Sequence, residues 1–337
     1  MDARERLSAA CFAVGLACIA AACQRADLDR SVERHTRVTV RTLEPPPGTL
    51  ALPLKDGSVR FAVIGDVGRG DNAQYDIAKR MIEWRAKFGF SFVLMLGDNI
   101  YPPHTPDDYR QKFEDPYRPL LDAGVTFHAA IGNHDDDGQL KYGHFNMGGE
   151  RYYTFKQSEK RLAAIAGAGA RFFALDSRSL DPAQVQWLRK ELQASGTSWK
   201  IVYLHHPLYT SGRYPSAARG IRAALEQTLV DGDVDVVLSG HEHFYERLVP
   251  QHGISYFISG GGGALRKGDI RRPSDLMAVG YDEDCHFLLM EIAGDELYFQ
   301  AISRTGQTVD AGVIAKVKED AERSRTAQPP ALAVPSR

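Results

Sequence analysis

Five short blocks hold the side chains of this sequence that could do chemistry: Gly65-Asp66-Val67-Gly68, Gly97-Asp98-Asn99-Ile100-Tyr101, Gly132-Asn133-His134-Asp135, His205-His206-Pro207 and Gly240-His241-Glu242-His243. Carboxylate, amide and phenol oxygens collected with imidazoles suit divalent or trivalent metal ions, and these donors are too many for one ion. Two ions need a ligand in common, and a carboxylate can bridge ions about 3.5–4 Å apart. Asp66 and Asp98 are the candidates, each preceded by a Gly that permits a tight turn. Asn133 adds a neutral oxygen, and His205, His241 and His243 add imidazoles. The His-x-His spacing sets residues 241 and 243 on one face of a strand, or presents both from one turn. Taken singly, each block also fits an ordinary turn. Their order and shared setting predict a dinuclear centre acting on a phosphate ester.

That setting is the end of β-strands. Arg60–Ile64 is a β-branched and aromatic run halted by Gly65, and Phe92–Leu96 is a continuous apolar run halted by Gly97. Val125–Ile131, Lys200–Leu204 and Val234–Leu238 also read as strands. Helical spacing recurs over Gln74–Phe88, Asp108–Leu121, Gln184–Leu192 and Arg219–Leu229. This alternation is an α/β pattern whose donors lie at the carboxyl ends of strands, where open sheets place their sites. Further strands at Arg151–Phe155, Arg171–Leu175, Ile254–Ile258, His286–Ile292 and Glu296–Ile302 call for a second sheet packed on the first.

The 337 residues suffice for one large domain or two modest ones. A formal net charge of −2 gives no electrostatic case for a nucleic-acid partner. Arg4 and Arg6 precede an apolar, Ala-rich stretch, Leu7–Ala22, that ends in Ala20-Ala21-Ala22-Cys23. This is the layout of a bacterial export signal over residues 1–23, with Cys23 in the position of an acylated lipoprotein cysteine. The expected location is the cell envelope, as a periplasm-facing membrane lipoprotein or, without the anchor, a soluble periplasmic or secreted protein. The alternative is a plain Ala-rich helix. Cys11 and Cys18 would leave with the signal and Cys285 would stand alone, a buried thiol at a strand start, so no disulfide framework is expected. Residues 24–57, with Glu44-Pro45-Pro46-Pro47-Gly48, read as a tether and lead-in, 58–317 as the catalytic domain, and 318–337 as a disordered tail. Nothing in the pattern specifies an oligomer.

The order of blocks resembles the calcineurin-like metallophosphoesterase superfamily, and within it the purple acid phosphatase branch, over Arg60–Gly263 with extension to the strands near Ile302. The superfamily opens with Asp-x-His, whereas position 68 here is Gly. The purple branch makes that change and regains a ligand from a Tyr three residues after the second Asp, where this chain has Tyr101. The resemblance implies an αββα sandwich of two packed mixed β-sheets flanked by helices. It also implies that Asp66, Tyr101 and His243 bind Fe(III), that Asn133, His205 and His241 bind a divalent Fe, Zn or Mn, and that Asp98 bridges the two.

The implied reaction is attack of metal-activated hydroxide in line on the phosphorus of a small phosphate ester, with His134 protonating the leaving oxygen. A monoester is the expected substrate, and a phosphodiester of nucleotides or phospholipid headgroups the alternative. A noncatalytic envelope binding protein is a further one. His206 is a candidate phosphate contact, although an extended 205–206 pair would turn it away from its neighbour. Asp135 and Glu242 are candidates to orient adjacent imidazoles, or equally solvated loop acids, and Tyr209, Ser211 and Arg213 are candidates for a rim loop facing substrate, where Arg213 could equally be an ordinary exposed arginine. The branch often supplies a further pocket His after the His-x-Pro region, but none lies between His206 and His241. Gly260-Gly261-Gly262-Gly263 lacks the Gly-Lys-Ser/Thr of a P-loop and reads as a tight turn crowded against the metal pocket.

Overall fold

Side chains that alternate along one strand pack into two different layers, and this builds the molecule. In β2 (Val59–Ile64), Phe61 and Val63 join Leu94, Phe172, Leu238 and Leu288 in one core, while Ala62 and Ile64 join Ile77, Met81 and Trp84 in another. The first core lies between two β-sheets and the second between a sheet and its helices. The computed structural model describes residues 38–158, 169–196, 199–271 and 274–316. The expected export signal, the Cys23 anchor and the tail lie outside them. Among the described residues no helix is long and apolar enough to cross a membrane.

The first sheet is 7-stranded, in the order β1 (Val38–Thr42), β14 (Thr308–Lys316), β13 (Glu296–Ser303), β12 (His286–Ala293), β2, β3 (Phe92–Leu96) and β4 (Thr126–Ala130). Its β2, β3 and β4 run parallel, and β12 continues antiparallel. The second, also 7-stranded, runs β11 (Met277–Tyr281), β9 (Tyr245–Leu248), β10 (Ser255–Ser259), β8 (Val236–Ser239), β7 (Trp199–Leu204), β6 (Ala170–Ala174) and β5 (Tyr153–Gln157). Its central β6, β7, β8 and β10 are parallel. Helix α1 (Asn72–Phe88) covers the first sheet, while α4 (Pro182–Gln193) and α5 (Pro215–Asp231) cover the second. The result is the expected αββα sandwich of two mixed sheets.

Local signals set the helix that follows the first block. The Asp71 side chain accepts the Gln74 N–H at 3.1 Å, and Gly89 closes the other end at φ 71°, a cap worth about 1 kcal/mol. The helix expected over Asp108–Leu121 is present and runs unbroken through α2 (Pro106–Tyr109), a π-helical stretch at Arg110–Glu114, and α3 (Asp115–Asp122). Pro116 and Pro119 have no N–H to donate and their rings crowd the carbonyls one turn back, which the wider turn accommodates.

The sheet also corrects the expected lead-in. Val38–Thr42 pairs antiparallel with Thr308–Lys316, so residues placed in a tether form an edge strand. Farther along, Glu291 on β12 accepts the N–H groups of Leu54 and Lys55 and the Ser58 hydroxyl, tying the approach to β2 down.

Candidate dinuclear metal site

The carboxyl ends of β2, β3, β4, β7 and β8 meet at one edge of the sandwich, and each of the five blocks turns there. Asp66, Asp98 and His241 take positive φ, at 57°, 50° and 68°. That is uncommon for residues with a Cβ and costs about 1–3 kcal/mol each, so packing must hold them. It does. Asp66 N–H donates to Gly97 O at 3.1 Å, Gly240 N–H to His205 O at 3.0 Å, and Ala264 N–H to Asp66 O at 3.1 Å. The approach is close enough to require glycine: a Cβ on Gly240 would lie 2.5 Å from Asp66 Oδ2, and one on Gly260 2.8 Å from it. The crowding expected of the Gly260–Gly263 turn is therefore present.

Two donor groups result. In one, ligand atoms of Asp66, Asp98 and His243 lie within 4.8 Å of one another, with His243 Nε2 3.3 Å from Asp66 Oδ1 and 3.3 Å from the Tyr101 hydroxyl. In the other, His205, His206 and His241 cluster within the same limit, and Asn133 Oδ1 sits 2.9 Å from His205 Nε2 and 3.0 Å from His241 Nδ1. Asp98 stands between them, its Oδ1 3.4 Å from His205 Nε2. The His-x-His pair comes from one turn after β8, and each imidazole faces a different group.

Electrostatics fit cations at both. Burial drives the Asp66 carboxyl well above its usual range, and among the described residues Asp66 Oδ1 is buried without a hydrogen-bond partner. Burial, with the Asp66 and Asp98 charges, likewise pushes the Tyr101 phenol up; a positive ion among these groups would reverse both directions. Burial pushes His243 down to about 4, and burial with the neighbouring histidines pushes His241 down to about 2. Both rings therefore present neutral lone pairs, the form a metal takes. His205 Nδ1 is held by Leu96 O at 2.9 Å, which aims Nε2 inward.

His134 is exposed, its ring 4.8 Å centroid to centroid from Tyr101 and its backbone N–H on Asp98 Oδ1 at 2.9 Å. His206 departs from the extended-chain expectation. The chain bends at 205–206, bringing its ring to 4.4 Å from that of His241, with Nδ1 2.9 Å from Ser177 Oγ. Burial, together with the His205 charge, pushes it down to about 4.

Several expected roles change. Asp135 orients no imidazole: it accepts the N–H groups of Asn99 at 2.8 Å, Ile100 at 3.0 Å and Gly132 at 2.7 Å, joining the second block to the third. Burial and the Asp98 charge outweigh these donors and push its carboxyl up to about 7. Glu242 is buried and accepts the N–H groups of Arg213 and Tyr214, so it shapes the rim loop rather than a histidine. Tyr209 bonds Glu226, Ser211 bonds Glu246 and Arg213 bonds Asp269, so this loop spends those groups on protein rather than on the pocket. The sequence reading missed His104, whose Nε2 reaches Ile100 O at 3.0 Å and His134 O at 2.9 Å and clamps two blocks together. A lone His beyond Pro102-Pro103 carries no spacing that would reveal this. It also missed Tyr214, whose ring packs 4.8 Å from that of His241.

Two clusters of metal-type donors with Asp98 between them lie at one edge of the sandwich, and the family and relatives of the chain make it a metal-dependent phosphoric ester hydrolase. Residues 59–245 match the family model described as calcineurin-like phosphoesterase, and the chain belongs to that family, in its purple acid phosphatase-like branch. Human tartrate-resistant acid phosphatase type 5 is 24% identical over 303 residues, covering 77% of this chain and 93% of the relative. The Fe(3+)-Zn(2+) purple acid phosphatase 12 of Arabidopsis thaliana is 29% identical over 219 residues, 60% of this chain and 46% of the relative. Among solved structures, purple acid phosphatase PPD1 from yellow lupin superposes with TM-score 0.63 at 17% identity, covering 85% of this chain and 58% of that one. GAP50, the anchor in the inner membrane complex of Plasmodium, gives 0.67 at 18%, covering 83% and 98%. Those two likenesses speak to the fold alone.

Proposed function

We propose that this phosphoester hydrolase is a phosphomonoesterase of the acid phosphatase type, in which Asp66, Tyr101 and His243 hold Fe(III) and Asn133, His205 and His241 hold a divalent Fe, Zn or Mn. Asp98 is the shared ligand. The observation that carries this reading is Tyr101 beside His243 and Asp66: phenolate is a hard donor that suits a trivalent ion. When bound, the ions supply Lewis acidity to the phosphate oxygens and lower the pKa of water. The monoester preference rests on the relatives' names as acid phosphatases.

In hydrolysis the bond from phosphorus to the ester oxygen breaks as a water oxygen joins phosphorus, and the departing alkoxide takes a proton. His134 supplies it, being exposed at the pocket with its ring over Tyr101. His206, aimed by Ser177, contacts a phosphate oxygen from the side of His241. The buried carboxylates Asp135 and Glu242 keep the blocks and the rim loop in place, so little reorganisation accompanies the reaction.

The test compares p-nitrophenyl phosphate with bis-p-nitrophenyl phosphate on metal-loaded protein across a pH series. Preferential monoester turnover supports the reading and diester preference replaces it with a phosphodiesterase. Turnover of neither, with both metals bound, points to the noncatalytic alternative. The N-terminal pattern supports an exported lipoprotein acylated at Cys23. Mass analysis of the N-terminal peptide from envelope fractions checks this, and an unmodified Cys23 refutes it.

A further inference from the structure

Beside the two donor groups, Arg213, Arg266 and Arg271 converge on one buried carboxylate. Arg213 Nη2 lies 2.5 Å from Asp269 Oδ1, Arg271 Nη2 lies 3.7 Å from the same oxygen, and Arg266 Nη1 lies 4.0 Å from Asp269 Oδ2. Asp269 is thus in close contact with Arg213 alone; the other two guanidinium groups stand beyond hydrogen-bond distance. Their side chains are 37% exposed for Arg266 and 52% for Arg271, against 1% for Asp269. Four further acids in the region have partners of their own. Glu242 is taken by backbone N–H groups and Glu246 by Ser211. Asp282 accepts the N–H groups of Gly268 and Ile270, and Glu283 faces Lys267 at 3.7 Å.

The cluster borders the metal site itself. Arg266 N–H donates to His243 O at 3.3 Å, Arg271 N–H to Ser211 O at 3.1 Å, and Arg213 adjoins Tyr214, whose ring packs on His241. The charge of Arg266 also bears on Asp66, Tyr101 and His241. Planar guanidinium forks are suited to phosphate and carboxylate oxygens, which they meet in pairs of charge-assisted hydrogen bonds.

We propose that Arg266 and Arg271 form an anion subsite on the rim of the metal pocket, so that the favoured substrates are phosphomonoesters bearing a second phosphate or carboxylate. This rests on the phosphomonoesterase reading above. Arg213, held by Asp269 and by the Glu242-bound loop, positions the cluster.

The matched probes are glucose 6-phosphate and glucose 1,6-bisphosphate, with initial phosphate release giving a ratio of kcat/KM values. Comparing that ratio between proteins cancels both leaving-group differences and any general loss in a variant. The ratio in favour of the bisphosphate falls by about tenfold in Arg266→Gln/Arg271→Gln, and Arg271→Glu lowers it further than Arg271→Gln. An unchanged ratio in the double variant overturns the subsite. Calorimetric titration of glucose 1,6-bisphosphate into the chelated proteins runs in parallel and reads the subsite without turnover. It gives binding about fivefold weaker or more in the double variant, and equal affinity overturns the proposal. A wild type that hydrolyses neither sugar phosphate contradicts the phosphomonoesterase reading, while the calorimetric comparison still decides the subsite.

Discussion

The backbone N–H of Tyr101 donates to the carbonyl oxygen of Gly68 at 2.8 Å. A Cβ on Gly68 would stand 2.0 Å from the Asn99 carbonyl oxygen. The turn that carries Tyr101 therefore occupies the space a side chain at position 68 would need. The missing histidine and the gained tyrosine, paired in the sequence, are one packing arrangement in the structure.

Gly68→Ala tests that arrangement. The added methyl has to push backbone, and overpacking of this kind costs about 1–3 kcal/mol. The urea midpoint falls and the tightly bound metal content falls with it. A Gly68→His/Tyr101→Phe double variant does not regain metal, because the imidazole has no room in this backbone. Full metal content in that double variant contradicts the coupling.

His134 separates proton donation from metal binding. If it protonates the leaving oxygen, His134→Ala loses about 100-fold or more in kcat with an alkyl phosphate and far less with p-nitrophenyl phosphate, whose leaving group needs little help. Equal losses with both esters would assign His134 to phosphate binding instead.

Asp135 acts through the blocks it joins. In Asp135→Asn one carboxylate oxygen becomes an amide NH₂, which cannot accept, so either the Asn99 and Ile100 N–H groups on Oδ1 or the Gly132 N–H on Oδ2 lose their acceptor. Metal affinity drops by about 10–100-fold, the scale of lost supporting contacts, while the circular dichroism spectrum stays that of the folded protein. Unchanged affinity removes Asp135 from this role.

His286 sets a pH dependence away from the site. It is fully buried, among the described residues neither ring nitrogen has a partner in good hydrogen-bond geometry, and a Cβ on Gly261 would lie 2.5 Å from its Cε1. Burial, against a smaller opposing pull from the Asp284 backbone, lowers its pKa from 6.5 to about 4. Between those values the unfolded chain binds the proton and the folded chain does not, so stability is full above 6.5 and declines as pH falls toward 4. In the metal-free protein, His286→Leu shrinks the slope of stability against pH near pH 5 by up to one proton. An identical slope in the variant shows that His286 does not titrate this way.

Strong local signals made the framework readable. Phe92–Leu96 and Lys200–Leu204 are short, mostly apolar runs bounded by turn residues, the pattern of a buried strand, and the blocks following them are the donors that meet in space. Strands without such runs escaped. Within β9, Glu246 and Arg247 look like surface charges, yet both are buried, Glu246 against Ser211 and Arg247 against Asp310. Across β1 and β14 the apolar residues are interrupted by Thr, Arg, Asp and Gly, so only their pairing identifies them. The same limit hid the work of Asp135, Glu242 and His104, whose partners are backbone groups many residues away. Spacing does not encode such contacts.

A carboxylate shared by two ions makes both metal content and turnover depend on Asp98. Elemental analysis of the purified protein, with p-nitrophenyl phosphate turnover measured on the same sample, tests it against Asp98→Asn. About two ions per chain are expected in the wild type, at least one of them lost in the variant, with turnover lower by about 1,000-fold or more. An Asp98→Asn protein that keeps both ions and the wild-type rate would contradict it.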